Sequence, residues 1–248
     1  MSHRTDDNDS FWNSIDLHAD SKKFDHLTRF LPADARTVLD IGAGQGALHT
    51  ALKRHRSVAY TGIDASPEAV RYIESEGGIG IQADIDGVRL PFEDNSFDAV
   101  FACDVLEHVR NPWILLGEMA RVSKKYVVVH GPNFVSLKCR LQVLSGRPPY
   151  QMAVDKYGAV FNDSGHHVDH IYFITYRNIL HWASRMHLHV AKAEGYWYRR
   201  YAPFRWFLQP LFSNWCEVYR MLLIKNPETF ALPDDRNVQV YKSLPVLD

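Results

Sequence analysis

The 248-residue chain is 46% apolar, enough for a substantial core, and its three cysteines form no CxxC pair, which excludes a disulfide framework and fits reduced thiols in a cytoplasmic protein. Its 28 basic against 29 acidic residues set up no global field toward nucleic acid or an anionic membrane, although thirteen histidines add positive charge below neutrality. The polar start MSHRTDDNDS lacks the features of a signal peptide, and no apolar run approaches the roughly 20 residues that span a bilayer.

In chain order, residues 1 to about 10 are expected to be disordered. Phe11, Trp12, Ile15 and Leu17, then Phe24, Leu27, Phe30 and Leu31, suggest amphipathic helices before Pro32. This N-terminal stretch, 1–35, either lids a pocket or packs against the sheet. From Thr37 the pattern alternates strand and helix, which implies a parallel sheet. Val58 to Ile63 reads as the second strand, Pro67 opens a helix, and Ile79 to Ala83 and Phe97 to Cys103 read as the third and fourth strands. A helix over Pro112 to Val122 leads to Tyr126 to Val129, an apolar strand of the kind buried on both faces.

After HGPN the rhythm breaks for some 35 residues, and the glycines and prolines from Gly146 to Gly165 mark an irregular insertion, 132–170. Insertions at the carboxyl edge of such a sheet shape substrate pockets. A helix from about Thr175 to Met186 follows, and Leu188 to Ala193 and Glu217 to Lys225 read as the last strands. There is no internal repeat, so a single domain over 1–248 is the simplest organisation.

The stretch TVLDIGAGQGAL, Thr37 to Leu48, dominates the reading. Gly42, Gly44 and Gly46 bring positive-φ freedom and no Cβ atoms to a strand-to-helix turn, so a nucleotide-type ligand can lie against the main chain. Gly42, Gly44 and Ala47 also satisfy the GxGxxG/A spacing of a dinucleotide fold, with Asp64 at ribose distance. Against that stand Asp40 within DxGxGxG, a further acid at Asp84 in QAD, and the lack of a second mononucleotide-binding half.

DIGAGQG, GIDASPEAV, QADIDGVRLPFEDNSFDAV and FACDVLEHVRNP together resemble the successive motifs of class I S-adenosylmethionine (SAM) dependent methyltransferases, of the type 11/23-like group. The resemblance covers residues 37 to 131 and implies a Rossmann-like three-layer αβα sandwich of the α/β class, its seven-stranded, mostly parallel sheet ending in an antiparallel last strand. It implies SAM as cofactor, held by Asp40, Gly42, Ala43, Gly44 and Gly46 in the loop and by Asp64 and Ala65 after the second strand. Asp64 would take both ribose hydroxyls, a task that suits two acceptor oxygens. Asp84 would accept from the adenine amino group, with Ile85 beside the ring and Cys103 facing the methionine arm.

Asp104, Glu107 and His108 follow the fourth strand directly. Their DxxEH spacing is similar to the ExxEH of ubiquinone-pathway and small-RNA 2′-O-methyltransferases, where these residues hold a divalent metal; aspartate in first place shortens one arm. GHHVDHIYFIT adds His166, His167 and His170. LEHV is equally at home in metal-free methyltransferases, where glutamate and histidine pack and cap a helix, and no metal ligand is assigned. Methyl transfer needs a base only for a nucleophile still protonated at neutral pH, and His108, His130 and His170 are the candidates.

HGPN through LKCRLQVLSGRPP also looks like the MetW family, linked to methionine biosynthesis, through Pro132, Asn133, Phe134, Arg140, Leu141 and Gln142. That likeness implies a second reading, a SAM-binding accessory protein that regulates a partner enzyme. Residues 196–225 hold ten aromatics and a net charge of +4. Trp197, Trp206, Phe207, Phe212 and Trp215 within the 196–215 insert suit a core beneath the last strands, a wall for an apolar substrate, a dimer face or a peripheral membrane contact. The expected partner is a small-molecule methyl acceptor and not a nucleic acid.

Overall fold

The computed structural model describes residues 24–86, 89–147, 149, 170–196, 216–226 and 228–230. His166, His167, the aromatic residues from Trp197 to Trp215, most of the expected N-terminal helices and the C-terminal tail lie outside them. Seven strands form one sheet: β1 Thr37–Ile41, β2 Ala59–Asp64, β3 Ile79–Gln82, β4 Phe97–Cys103, β5 Ser123–Pro132, β6 Leu188–Tyr196 and β7 Val218–Lys225. Their spatial order is β3-β2-β1-β4-β5-β7-β6. The first five pair in parallel, while β7 runs antiparallel between β5 and β6. The expected fold class and its antiparallel last strand are both present.

Among the described residues five α-helices connect the strands: α1 Ala47–His55, α2 Pro67–Ser75, α3 Pro112–Val122, α4 Leu137–Leu144 and α5 Tyr176–Arg185. Local sequence accounts for most of their starts. Pro67 and Pro112 occupy first helical turns, where a missing N–H costs nothing. The Ser66 and Ser136 side chains accept from the Ala69 and Cys139 amides, and Thr175 with Asn178 closes a capping box on α5.

Period-two alternation along the central strands divides the core between two faces. Val38, Ala99, Phe101, Tyr126 and Val128 join one cluster with Leu27, Phe30, Leu48, Leu52 and Ile73. Leu39, Val100, Ala102, Val127 and Val129 join the other with Leu115, Met119, Ile179 and Ala183. Thus α1, α2 and the N-terminal single turn Thr28–Phe30 cover one face, and α3 and α5 cover the other. Each large apolar side chain taken from water in this way contributes roughly 1.5–3 kcal/mol.

Besides β6, which runs past Ala193 to Tyr196, two local expectations change. The strand read as Tyr126–Val129 extends over Ser123–Pro132, because β4 pairs with it at Ser123 opposite Phe97 and β7 as far as Pro132 opposite Val218. The segment after HGPN is not irregular throughout, since α4 forms within it behind the Ser136 cap.

Candidate functional site

The strand order reverses direction between β1 and β4, and in open parallel sheets ligands settle at the carboxyl ends of the strands flanking that point. The loop Gly42–Gly46 leaves β1 there, and Asp104 to Arg110 leave β4 beside it. Gly42, Gly44 and Gly46 all have positive φ, at 61°, 51° and 74°. At Gly42 the need is double, because a Cβ would also lie 2.6 Å from Val105 Cγ2. The loop delivers α1 with Gly46 at its N-cap, no side-chain cap and no acid in its first turn. Its leading amides are therefore oriented for an anionic ligand group.

Asp64, buried at the end of β2, locks this loop. Its Oδ2 accepts from the Gly44 amide and its Oδ1 from the Ser66 amide, each at 2.9 Å. Asp40 is buried at the end of β1 and accepts from the Tyr60 hydroxyl at 2.7 Å. Burial pushes its carboxyl up to about 7, with the Tyr60 hydrogen bond pulling down and the Asp64 charge pushing further up. Ala43 is buried behind the loop, and Ala65 follows Asp64 half-buried. Asp84 stands exposed after β3 with half-buried Ile85 beside it, and its Oδ1 accepts from the Asp86 amide at 2.9 Å. Cys103 is a half-buried free thiol at the end of β4, held protonated well above its ordinary range by desolvation and by the Asp40 charge.

These residues fit a SAM-type group. They combine a Cβ-free turn, an uncapped helix start for a carboxylate, and carboxylates at the ends of neighbouring parallel strands for a diol and a cation. The sequence-derived cofactor residues thus gather along one sheet edge.

Beyond β4, Asp104 adopts a left-handed backbone at φ 56°, and its amide donates to the His130 carbonyl at 3.0 Å. Non-glycine residues hold that conformation chiefly when they are aspartate or asparagine, commonly at functional positions. The Asp104 Oδ1 lies 3.2 Å from His130 Nδ1. His26 also stands beside the His130 ring, at 5.8 Å between centroids. Burial, the Arg220 cation and then His130 lower His26 to about 3, so it is neutral at physiological pH.

His108 and His170 meet elsewhere on the same edge, with ring centroids 4.8 Å apart. Between them reaches Glu107, only 1% exposed, whose two carboxylate oxygens have no hydrogen-bond partner among the described residues. Burial first and the Asp104 charge second raise its carboxyl well above the ordinary range. The Glu107 carbonyl accepts from the Ile171 and Tyr172 amides, which ties the turn Leu106–His108 to the chain entering α5. The three histidine candidates are therefore split: His130 pairs with Asp104, whereas His108 and His170 flank Glu107.

Several residues here were not singled out from the sequence. Asp86 accepts from the Arg110 amide at 2.8 Å and so joins the loop after β3 to the loop after β4. Tyr60 reaches Asp40 from the neighbouring strand. Buried Arg220 lies opposite His130 in the β5–β7 register. The β5–β7 pairing brings Arg220 to this site and the N-terminal segment before β1 brings His26, and no local pattern marks either.

The family model described as methionine biosynthesis protein MetW matches residues 21–221. An uncharacterized methyltransferase of Mycobacterium sp. (strain JLS) is 37% identical over 89 residues, which is 36% of this chain and 35% of that protein. A counterpart from Mycobacterium tuberculosis is 37% identical over 95 residues, covering 38% and 37%. The matched segments span about a third of the length of these curated relatives. Among solved structures, a SAM-dependent methyltransferase from Archaeoglobus fulgidus superposes with a TM-score of 0.60 at 14% identity over 85% of this chain and 95% of that one. A SAM-dependent methyltransferase from Mesorhizobium loti gives 0.55 at 18% identity over 81% and 96%. At such identities the likeness is one of fold: the class I methyltransferase sheet.

Proposed function

Because the chain belongs to the MetW family, whose model spans residues 21–221, and has the class I methyltransferase fold, we propose that it binds SAM and transfers the methyl group to an oxygen or nitrogen of a small-molecule acceptor. The observation that carries this reading is the joint placement of the Gly42–Gly46 turn, the uncapped start of α1 and the Asp64 carboxylate at the strand-order reversal. The names of the mycobacterial relatives support it. The balance of 28 basic and 29 acidic residues favours a small acceptor over nucleic acid.

In this reading the α1 amides receive the cofactor carboxylate, Asp64 the ribose hydroxyls and Asp84 the adenine amino group. When bound, SAM supplies a methyl group on a sulfonium, already electrophilic enough to need only alignment. The protein adds a place to hold the acceptor's proton. His130 is the general base, and Asp104, whose Oδ1 lies 3.2 Å from its Nδ1, is a positioning residue that orients the ring. Cys103, kept as a thiol, contributes surface and not nucleophilicity.

The MetW match favours one further reading, a SAM-binding protein that serves methionine biosynthesis by regulating a partner enzyme. Incubating the purified chain with labelled SAM and a small-metabolite extract separates the two. Formation of S-adenosylhomocysteine (SAH) with a labelled product, reduced at least ~100-fold in His130→Ala, is the expected outcome. SAM binding without turnover in any extract fraction selects the regulatory reading.

A further inference from the structure

We propose that Glu107, His108 and His170 form a binding site for a first-row divalent transition metal ion, of the Mn²⁺ or Zn²⁺ type. One donor atom from each of the three lies within 4.8 Å of the other two. Opposite ligands on an ion bound at about 2.1 Å are themselves ~4.2 Å apart, so small side-chain rotations close the set.

Two independent observations point to an ion. A carboxylate 1% exposed with both oxygens unpartnered among the described residues lacks the compensation that a buried acid normally requires. Among the described residues it is also grouped with two imidazoles and not with a lysine or arginine, and imidazoles are metal ligands. The framework is fixed before any ion arrives. The Glu107 carbonyl receives both the Ile171 and Tyr172 amides, at 2.9 and 3.2 Å, and the Phe134 ring meets His170 edge-on at 5.4 Å. Gly131 completes the enclosure, because a Cβ there would fall 2.9 Å from Tyr219 Oη and 3.5 Å from Glu107 Oε2.

Two nitrogens and one carboxylate suit Mn²⁺, Fe²⁺ or Zn²⁺ better than Mg²⁺, which favours oxygen donors. Three protein ligands leave at least one position for water or another oxygen donor. Asp104, which the spacing DxxEH places first in the motif, does not belong to this set; its carboxylate lies against His130. If the methyl-transfer reading holds, the open position suits an acceptor bearing a hydroxyl group. That extension rests on the proposed function; the ion site itself does not.

The test is calorimetric titration of the full chain, stripped with chelator, with MnCl₂ and separately with ZnCl₂, checked for folding by circular dichroism and for site occupancy by native mass spectrometry. One ion per chain is expected, with binding weakened at least ~10-fold in Glu107→Gln and in His170→Ala and unchanged in Cys139→Ser. Binding of neither ion overturns the proposal, as does wild-type affinity in either folded variant. Should Glu107→Gln fail to fold, His170→Ala decides alone. These outcomes are read without SAM or acceptor, so they are independent of whether SAH is formed.

Discussion

The Asp64 carboxylate accepts from the Gly44 amide at 2.9 Å, so the end of β2 holds the turn that follows β1. Its other oxygen, at 2.9 Å from the Ser66 amide, fixes the entry to α2. Asp64→Ala therefore removes a diol acceptor and loosens two backbone segments. Charge-assisted hydrogen bonds contribute roughly 1.5–3 kcal/mol each, so SAM affinity is expected to fall on the order of 10²-fold or more by calorimetry, accompanied by a lower Tm. Unchanged SAM affinity in that variant would sink the cofactor assignment.

Gly42 and Val105 meet across the switch point. Gly42→Ala places a methyl group 2.6 Å from Val105 Cγ2 at a backbone φ of 61°. The positive φ alone costs about 1 kcal/mol and the overlap about 1–3 more. Urea unfolding of the single and double variants separates the two. In the Val105→Ala background the same substitution should cost less, leaving the backbone share. Strict additivity would mean that the contact with Val105 is unimportant.

Arg121 anchors the chain between β3 and β4. Its guanidinium bonds the Glu118 carboxylate, Asp94 and the carbonyls of Leu90 and Phe92, while Glu118 also accepts from the Leu90 amide. Arg121→Met strands the largely buried Glu118 charge and should cost about 3–5 kcal/mol. Replacing both residues, Arg121→Met with Glu118→Leu, should cost less than the sum of the two single changes. Thermal and urea unfolding report both; a loss under ~1 kcal/mol for Arg121→Met would show the network to be dispensable.

How much of this was legible follows from how local each determinant is. Asp40, the three loop glycines and Asp64 sit within short strand-turn segments whose residue types dictate their geometry, and the bounds of β4 and α3 could be read directly. Helix α4 could be expected only through the MetW likeness, whose members continue with a basic helix around Arg140, Leu141 and Gln142, because it buries only Cys139 and exposes Leu141, Val143 and Leu144, so no amphipathic period marks it. The C-terminal end of β5 depends on β7, almost 90 residues later, and the same pairing sets Arg220 opposite His130. Likewise the DxxEH spacing sets Asp104, Glu107 and His108 in a row without assigning a ligand, whereas in the fold Asp104, with its left-handed backbone, lies against His130 and Glu107 sits with His108 and His170. Methionine-biosynthesis kinship, ranked second from the sequence, is carried by a match over residues 21–221.

Asp40 makes stability depend on pH in a direction opposite to that of an ordinary paired acid. Burial raises its folded-state value from 3.8 to about 7, so between these limits the folded chain keeps a proton that the unfolded chain releases. The unfolded state binds fewer protons across that window, and stability falls as pH rises through it. Over the whole interval the loss reaches up to ~4 kcal/mol. Asp40→Asn keeps an acceptor for the Tyr60 hydroxyl and has nothing to titrate. Relative to that variant, wild type is expected to lose stability steadily from pH 4 to pH 8 in urea titrations, most of it before pH 7. Parallel stability curves for the two chains would show that Asp40 ionises freely despite its burial.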